Sequence, residues 1–132
     1  MSEIRATTIS DAAGTGPITL TKQSAAKSYV NISGSSLTNP ASLTGINGSF
    51  NVASVLDVQT GEATVSFTST MNNNDYSVVG TTNQSNDVSG RNSNFGAYAL
   101  GTSSYTFCTC RASTAAVEDG FVVSATAHGD LA

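Results

Sequence analysis

Two closely spaced cysteines, Cys108 and Cys110, are the first residues in this chain to test for chemistry. On an extended strand, residues two apart point to the same side with Cα atoms about 6.5–7 Å apart, at or beyond the reach of a disulfide. A redox pair would need two intervening residues at a helix start, and a zinc site would need further Cys or His ligands. The spacing predicts two free, partly buried thiols and no cofactor.

The single histidine, His128, is followed by Gly129 and Asp130 and is the only candidate for a general base of the serine-hydrolase type. The chain has 20 serines, so pairing one of them with His128 carries no information, and no Gly-x-Ser-x-Gly motif is present. Adjacent carboxylates at Glu118 and Asp119 point apart on an extended backbone, and we expect them to be solvated in a turn. We therefore predict no catalytic residues and no enzyme.

Charge and hydropathy exclude further classes of function. The formal net charge is −4, and the five basic residues are scattered along the chain, so we expect no nucleic-acid partner. The first residues form no apolar leader, and no run approaches the roughly 18 apolar residues of a membrane span. These features predict synthesis in the cytoplasm without a signal peptide, and no membrane insertion.

Alternating apolar and polar residues indicate strands that have one buried face. Residues 49–58 predict one half-buried strand with Phe50, Val52, Leu56 and Val58 facing the core and Val55 facing away. Gly61 can adopt the positive φ of a tight turn into a second strand, in which Ala63, Val65 and Phe67 face the core. The two strands should form a hairpin with Thr and Ser on its other face.

The same alternation predicts strands at 76–81, 95–100, 104–111 and 121–127, with turns at 72–75 and 118–120. Residues 34–48 are typical of a loop, and residues 24–27 allow one helical turn at most. The aromatic residues alternate with uncharged polar ones, which favours core packing over a nucleic-acid stacking surface. The predicted fold is all-β, a β-sandwich or jelly-roll-like domain.

The N-terminal segment differs from the rest of the chain. Residues 12–17 form a flexible joint between two short predicted strands at 4–9 and 18–22. We therefore divide the chain into an extended N-terminal arm, residues 1–17, and one β-sandwich domain, residues 18–132.

A second polar stretch, residues 82–94, has Val88 as its only apolar residue. Loops of this length are uncommon unless they carry function. It is the predicted binding loop, with candidate residues Asn83, Gln84, Asn86, Asp87, Arg91, Asn92 and Asn94.

The apolar content predicts a thin core. Leu, Ile, Val and Phe supply 27 residues, whereas Ser and Thr supply 20 and 18. Such a composition suits wet β surfaces more than a monomeric core. We expect neighbouring copies of the chain to complete the core in a symmetric oligomer.

Three stretches of the sequence resemble a group of small β-rich phage virion proteins, common in marine and environmental phages. The most specific is 48–71, where a Phe-x-Val strand and a Gly turn precede Val-x-Phe-Thr. The other two are 9–17, which reads ISDAAGTGP, and 122–130, which reads VVSATAHGD. Together they cover about a third of the chain.

The resemblance implies a virion component, a homotrimer in which the arm anchors to other virion proteins through Ile4, Arg5, Ile9 and Pro17. The first role it implies is a short tail-fibre or tail-tip appendage whose loop at 82–94 contacts host surface glycans. A compact trimer with an arm also fits the alternative of a capsid decoration protein. A free-standing carbohydrate-binding module is the alternative from a different class.

Overall fold

The computed structural model describes residues 26–33, 41–83, 93–111 and 114–130. The predicted arm, with Ile4, Arg5, Ile9 and Pro17, lies outside the described residues, as do the predicted strands at 4–9 and 18–22. The described part contains eight strands and no helix, hence no helix that is long and apolar enough to cross a membrane. The strands are β1 (Ala26–Ser33), β2 (Ile46–Phe50), β3 (Val52–Gln59), β4 (Glu62–Phe67), β5 (Ser77–Asn83), β6 (Ser93–Tyr98), β7 (Ser104–Arg111) and β8 (Val122–His128).

Two four-stranded antiparallel sheets pack face to face. Sheet I has the order β2-β1-β8-β5, and sheet II has the order β3-β4-β7-β6. Three hairpins, β1–β2, β3–β4 and β6–β7, stay within one sheet, and every other connection crosses to the opposite sheet. The predicted all-β sandwich is confirmed.

The core lies between the sheets and follows the predicted period of two. On β4, β7 and β8, buried and half-buried residues alternate along each strand. Burying one such Val or Phe side chain stabilises the fold by about 1.5–3 kcal/mol relative to leaving it exposed. Phe67 contacts both Tyr76 and Tyr105, with ring centroids 5.8 and 5.7 Å apart. The buried apolar set is Val30, Ile32, Val52, Val55, Ala63, Val65, Phe67, Met71, Tyr76, Tyr105, Phe107, Val123, Ala125 and Ala127.

The prediction of a single strand over 49–58 is wrong. Asn51 has a φ of 55° and separates β2 from β3, which belong to different sheets. A register shift between Val52 and Ser54 then exchanges the two faces of β3, because a bulge inserts one extra residue. Val55 is consequently buried with 1% of its surface exposed, whereas Phe50 and Val58 lie on the surface.

The predictions for the segment before β3 also need correction. Ala26 and Lys27 begin β1 instead of a helical turn, and Ile46 begins β2 inside the predicted loop at 34–48. Strand β1 pairs with β8 along its whole length and buries Val30 and Ile32. This non-local pairing outweighs the intrinsic helix propensity of alanine and lysine.

The predicted turn at Gly61 is confirmed, with a φ of 73°. The segment after β7 holds this turn in place, because the Gly61 amide donates to Asp119 Oδ1 at 2.6 Å. The Thr109 amide donates to the Gly61 carbonyl at 2.7 Å. The turn between β3 and β4 is therefore hydrogen-bonded both to β7 and to the segment that follows β7.

Candidate functional site

An apolar row crosses the outer face of sheet I. The strand register places Phe50 of β2 opposite Tyr29 of β1, and Tyr29 opposite Thr126 of β8. Thr126 in turn lies opposite Val79 of the edge strand β5. Phe50, Tyr29 and Val79 expose 54%, 45% and 58% of their surfaces. The row thus presents two adjacent aromatic side chains to solvent.

A polar row lies beside the apolar row, two residues further along each strand. It consists of Gly48, Asn31, Ser124 and Thr81, which are opposite one another in the register. Asn31 Nδ2 donates to Ser124 Oγ at 2.6 Å, across 93 residues of sequence. Asn47 Nδ2 donates to Asn31 Oδ1 at 2.9 Å. The three side chains form a hydrogen-bonded ladder.

A bulge brings Asn47 to this face. The register shifts from Asn31–Gly48 to Ile32–Ile46, which leaves Asn47 as an extra residue on β2. An extra residue bends its strand and redirects its side chain, so Asn47 reaches Asn31 although it neighbours Gly48 in sequence. We call these nine residues the platform: Phe50, Tyr29, Thr126, Val79, Gly48, Asn31, Ser124, Thr81 and Asn47.

The platform is uncharged. None of the nine is Asp, Glu, Lys, Arg or His, and the nearest such residues along β1 and β8 are Lys27 and His128. Aromatic faces attract C–H groups, and amides and hydroxyls both donate and accept hydrogen bonds. The platform thus presents aromatic faces, amides and hydroxyls side by side on one sheet face.

The predicted binding loop starts at one end of this face. Asn83 is the last residue of β5 and lies two residues beyond Thr81, opposite Val122. Asn94 is on β6 in sheet II, opposite Cys110. The loop thus leads from the platform sheet to the other sheet. The candidates Gln84, Asn86, Asp87, Arg91 and Asn92 lie outside the described residues.

The cysteines lie on the outer face of sheet II and are free and half-buried, as predicted. Cys108 is opposite Gly96 on one side and Glu62 on the other. Desolvation and the Glu62 carboxylate raise the pKa of the nearby Tyr98 phenol. Within the described residues, no group of three or more His, Cys, Asp or Glu side chains could hold a metal ion.

The remaining ionisable candidates lie at or near the surface. His128 lies in β8 between Ala26 and Ser77. Glu118 is half-buried and pairs with Arg111, while Asp119 is exposed and its carboxylate accepts the Gly61 amide. Asp119 stabilises the turn because a buried amide without a partner would destabilise the fold.

A small recess lies beside this turn, with Asp57, Ala63, Phe107 and Val123 among its lining residues. It has room for about one water molecule, which is too little for an organic ligand.

Sequence reasoning missed most of the platform. It placed Phe50 in the core and left Tyr29, Asn31 and Asn47 unassigned. The alternation of Tyr29 and Asn31 with Val30 and Ile32 is a strand signal that could have indicated β1 and its outer face. The bulge that brings Asn47 onto this face has no local signal in the sequence.

Comparison of the chain with protein-family models, with curated proteins and with solved structures found no match in any of the three.

Proposed function

We propose that this protein is a non-enzymatic module of a phage virion, a short tail-fibre or tail-tip appendage that contacts the host surface through the platform. The observation that carries the proposal is the outer face of sheet I, where two exposed aromatic side chains adjoin a hydrogen-bonded ladder of amides and a hydroxyl. An exposed apolar cluster rimmed by polar groups is typical of an interaction site.

Burial of the exposed aromatic side chains against a partner would be favourable. Full burial of a side chain the size of Phe50 is worth about 1.5–3 kcal/mol, and both Phe50 and Tyr29 leave about half of their surfaces in water. Contact with a partner would bury that surface. The chemistry of the described residues supports binding more than catalysis, since Glu118 and Asp119 have structural partners.

The virion part of the proposal rests on the sequence resemblance. In this role the chain assembles as a homotrimer, the arm at residues 1–17 joins it to other virion proteins, and the platform faces outward. Asn83, from which the predicted loop leaves β5, lies on the same face, so we expect the loop and the platform to contact one partner.

Localisation on intact particles tests the proposal. Antibody against the protein, seen by immunogold labelling or cryo-electron microscopy, should mark the tail at a few copies per virion. Dense labelling over the head would contradict the tail role and favour capsid decoration. No label on any virion would contradict both virion roles.

The platform also favours one function of a different class, a free-standing carbohydrate-binding module. Aromatic rings beside amide groups suit sugars whether or not the protein is part of a particle. A monomer in light scattering that binds glycans and is absent from virions would favour this second function.

A further inference from the structure

We propose that the platform is a binding site for neutral oligosaccharides, with one pyranose ring on the Tyr29–Phe50 pair and the hydroxyls of the adjoining sugar bonded to the ladder of Asn47, Asn31 and Ser124. The inference rests on the proposed function. It places the main contact on the face of sheet I, while the predicted loop at 82–94 becomes a neighbour of the site.

The aromatic pair supplies the apolar half of the site. Tyr29 and Phe50 are directly opposite each other on antiparallel strands, where facing Cβ atoms are about 4.5–5.5 Å apart. The axial C–H groups of a pyranose carry partial positive charge and pack against the negative face of an aromatic ring.

The ladder supplies the polar half. Asn31 gives one N–H to Ser124 and accepts one bond from Asn47. A primary amide has two N–H groups and an oxygen with two lone pairs, so these bonds use only part of the capacity of either amide. Because the three side chains of the ladder already hold each other in place, they lose less conformational entropy when a ligand binds. Neighbouring sugar hydroxyls, which both donate and accept, match this pattern.

Gly48 leaves a slot between the two halves. A Cβ built at Gly48 would meet only Tyr29, with Cε2 and the hydroxyl oxygen both 3.9 Å away, which is ordinary van der Waals contact. The missing side chain therefore exposes the flank of the Tyr29 ring beside β2. A residue with a side chain would fit here without disturbing the backbone and would fill the slot.

The absence of charged residues from the platform favours one class of ligand. None of the nine platform residues is charged, and the chain as a whole is acidic at −4. A sialylated or sulfated glycan would bring anionic groups to nine residues without a cation, and the nearest basic residues, Lys27 and His128, lie two positions from Tyr29 and Thr126. A neutral glycan leaves no charge unpaired. Complementarity of charge thus favours uncharged sugars over polyanions.

Variants of the full-length protein test the site. Tyr29→Ala removes the stacking ring, and Gly48→Thr fills the slot with a residue that favours strands. The matched control is Tyr98→Ala, which removes a tyrosine of similar exposure from the outer face of sheet II. Probes are a printed array of neutral oligosaccharides, including glucose, galactose, mannose and rhamnose polymers, with heparin and polysialic acid as anionic probes. Circular dichroism confirms that each variant is folded.

We expect the wild type and Tyr98→Ala to bind at least one neutral probe, and Tyr29→Ala and Gly48→Thr to bind it at least about tenfold more weakly, which corresponds to about 1.4 kcal/mol. Equal binding by all four proteins would overturn the platform as the site and leave the proposed place on the virion standing. Binding of the anionic probes alone would overturn the neutral ligand class.

Two further outcomes also count against the inference. Absence of binding to every probe would overturn it, while the localisation of the protein on virions tests the proposed function separately. Self-association in sedimentation velocity that Tyr29→Ala abolishes would identify the platform as a contact between copies of the chain and would overturn it as well.

Discussion

Asn51 forms the corner at which the chain passes from sheet I to sheet II. Its backbone lies in the left-handed region, at a φ of 55°, which asparagine tolerates better than most residues. Its Nδ2 donates to the carbonyls of Lys27 and Ser69, each at 3.0 Å, and its Oδ1 accepts the Ser69 amide at 2.6 Å. One side chain thus joins β1, the corner and the segment that follows β4.

We expect Asn51→Ala to lower the free energy of unfolding by about 2–4 kcal/mol, because it removes these bonds and strains the backbone. Asn51→Gly is the matched control, since glycine loses the same bonds but adopts the positive φ freely. Urea denaturation should rank wild type above Asn51→Gly and Asn51→Gly above Asn51→Ala. Equal stability of the two variants would show that the backbone conformation contributes nothing.

Tyr105 makes stability depend on pH in the alkaline range. Burial, with a smaller contribution from Tyr76, raises the pKa of the Tyr105 phenol above its ordinary value near 10. The folded protein therefore holds this proton more tightly than the unfolded chain. The resulting stabilisation is complete below about pH 10 and is lost as the pH rises further.

We expect the urea midpoint to fall between pH 8 and pH 11, and to fall less steeply in Tyr105→Phe, which has no phenol to ionise at this position. The comparison uses the slope of the urea midpoint against pH, so a lower starting stability of the variant does not affect it. Parallel slopes for the two proteins would contradict the role of Tyr105.

Edge strands β5 and β6 belong to different sheets, and they contact each other where Gly80 packs against the Phe95 ring. Gly80 of β5 faces inward, opposite Ala125, and a Cβ built there would approach the Phe95 ring of β6 to 2.8 Å. Phe95 also stacks on Phe107, with ring centroids 5.5 Å apart and an interplanar angle of 26°. The two sheets therefore approach closely at this side of the sandwich.

Gly80→Ala should lower the free energy of unfolding by about 1–3 kcal/mol, the usual cost of overpacking. In an open strand position the same change would be stabilising by about 0.5–1 kcal/mol, so the sign is diagnostic. Phe95→Leu should reduce the effect, and a double-mutant cycle measures the coupling. A stabilising Gly80→Ala would contradict the close approach.

Strands that bury one face are the elements that the sequence predicts well. The alternation of Ala63, Val65 and Phe67, and of Val123, Ala125 and Ala127, leads directly to β4 and β8. Prediction fails at Asn51, because nothing local distinguishes a corner between two sheets from a continuous strand. It fails at β1 because that strand is stabilised by partners about a hundred residues away, on β8.

The candidate site depends on the whole molecule. Asn31 and Ser124 are bonded across 93 residues, and Tyr29 meets Phe50 only through the register of β1 and β2. Composition predicts uncharged polar surfaces, but the ladder and the aromatic pair arise from strand order and a bulge. The loop predicted at 82–94 rests on a local signal, and the fold places its second residue, Asn83, two positions beyond Thr81 of the platform.

At the scale of the assembly, we expect the arm to be required for joining the virion and the domain to fold without it. The described sandwich starts at Ala26, so removal of residues 2–17 should leave a folded domain with an unfolding midpoint close to that of the full chain. The truncated protein should no longer join virions in an infection that supplies it in place of the full chain. Full occupancy on purified particles would contradict the anchoring role of residues 1–17.

The most direct test of the platform is a map of the residues that respond to a sugar. Titration of the ¹⁵N-labelled full-length protein with the neutral oligosaccharide that binds best should shift the amide signals of Tyr29, Asn31, Asn47, Phe50 and Ser124. The signals of sheet II, including Thr64, Thr106 and Cys108, should stay in place. Shifts confined to sheet II or to residues 84–92, with the platform unchanged, would contradict the account.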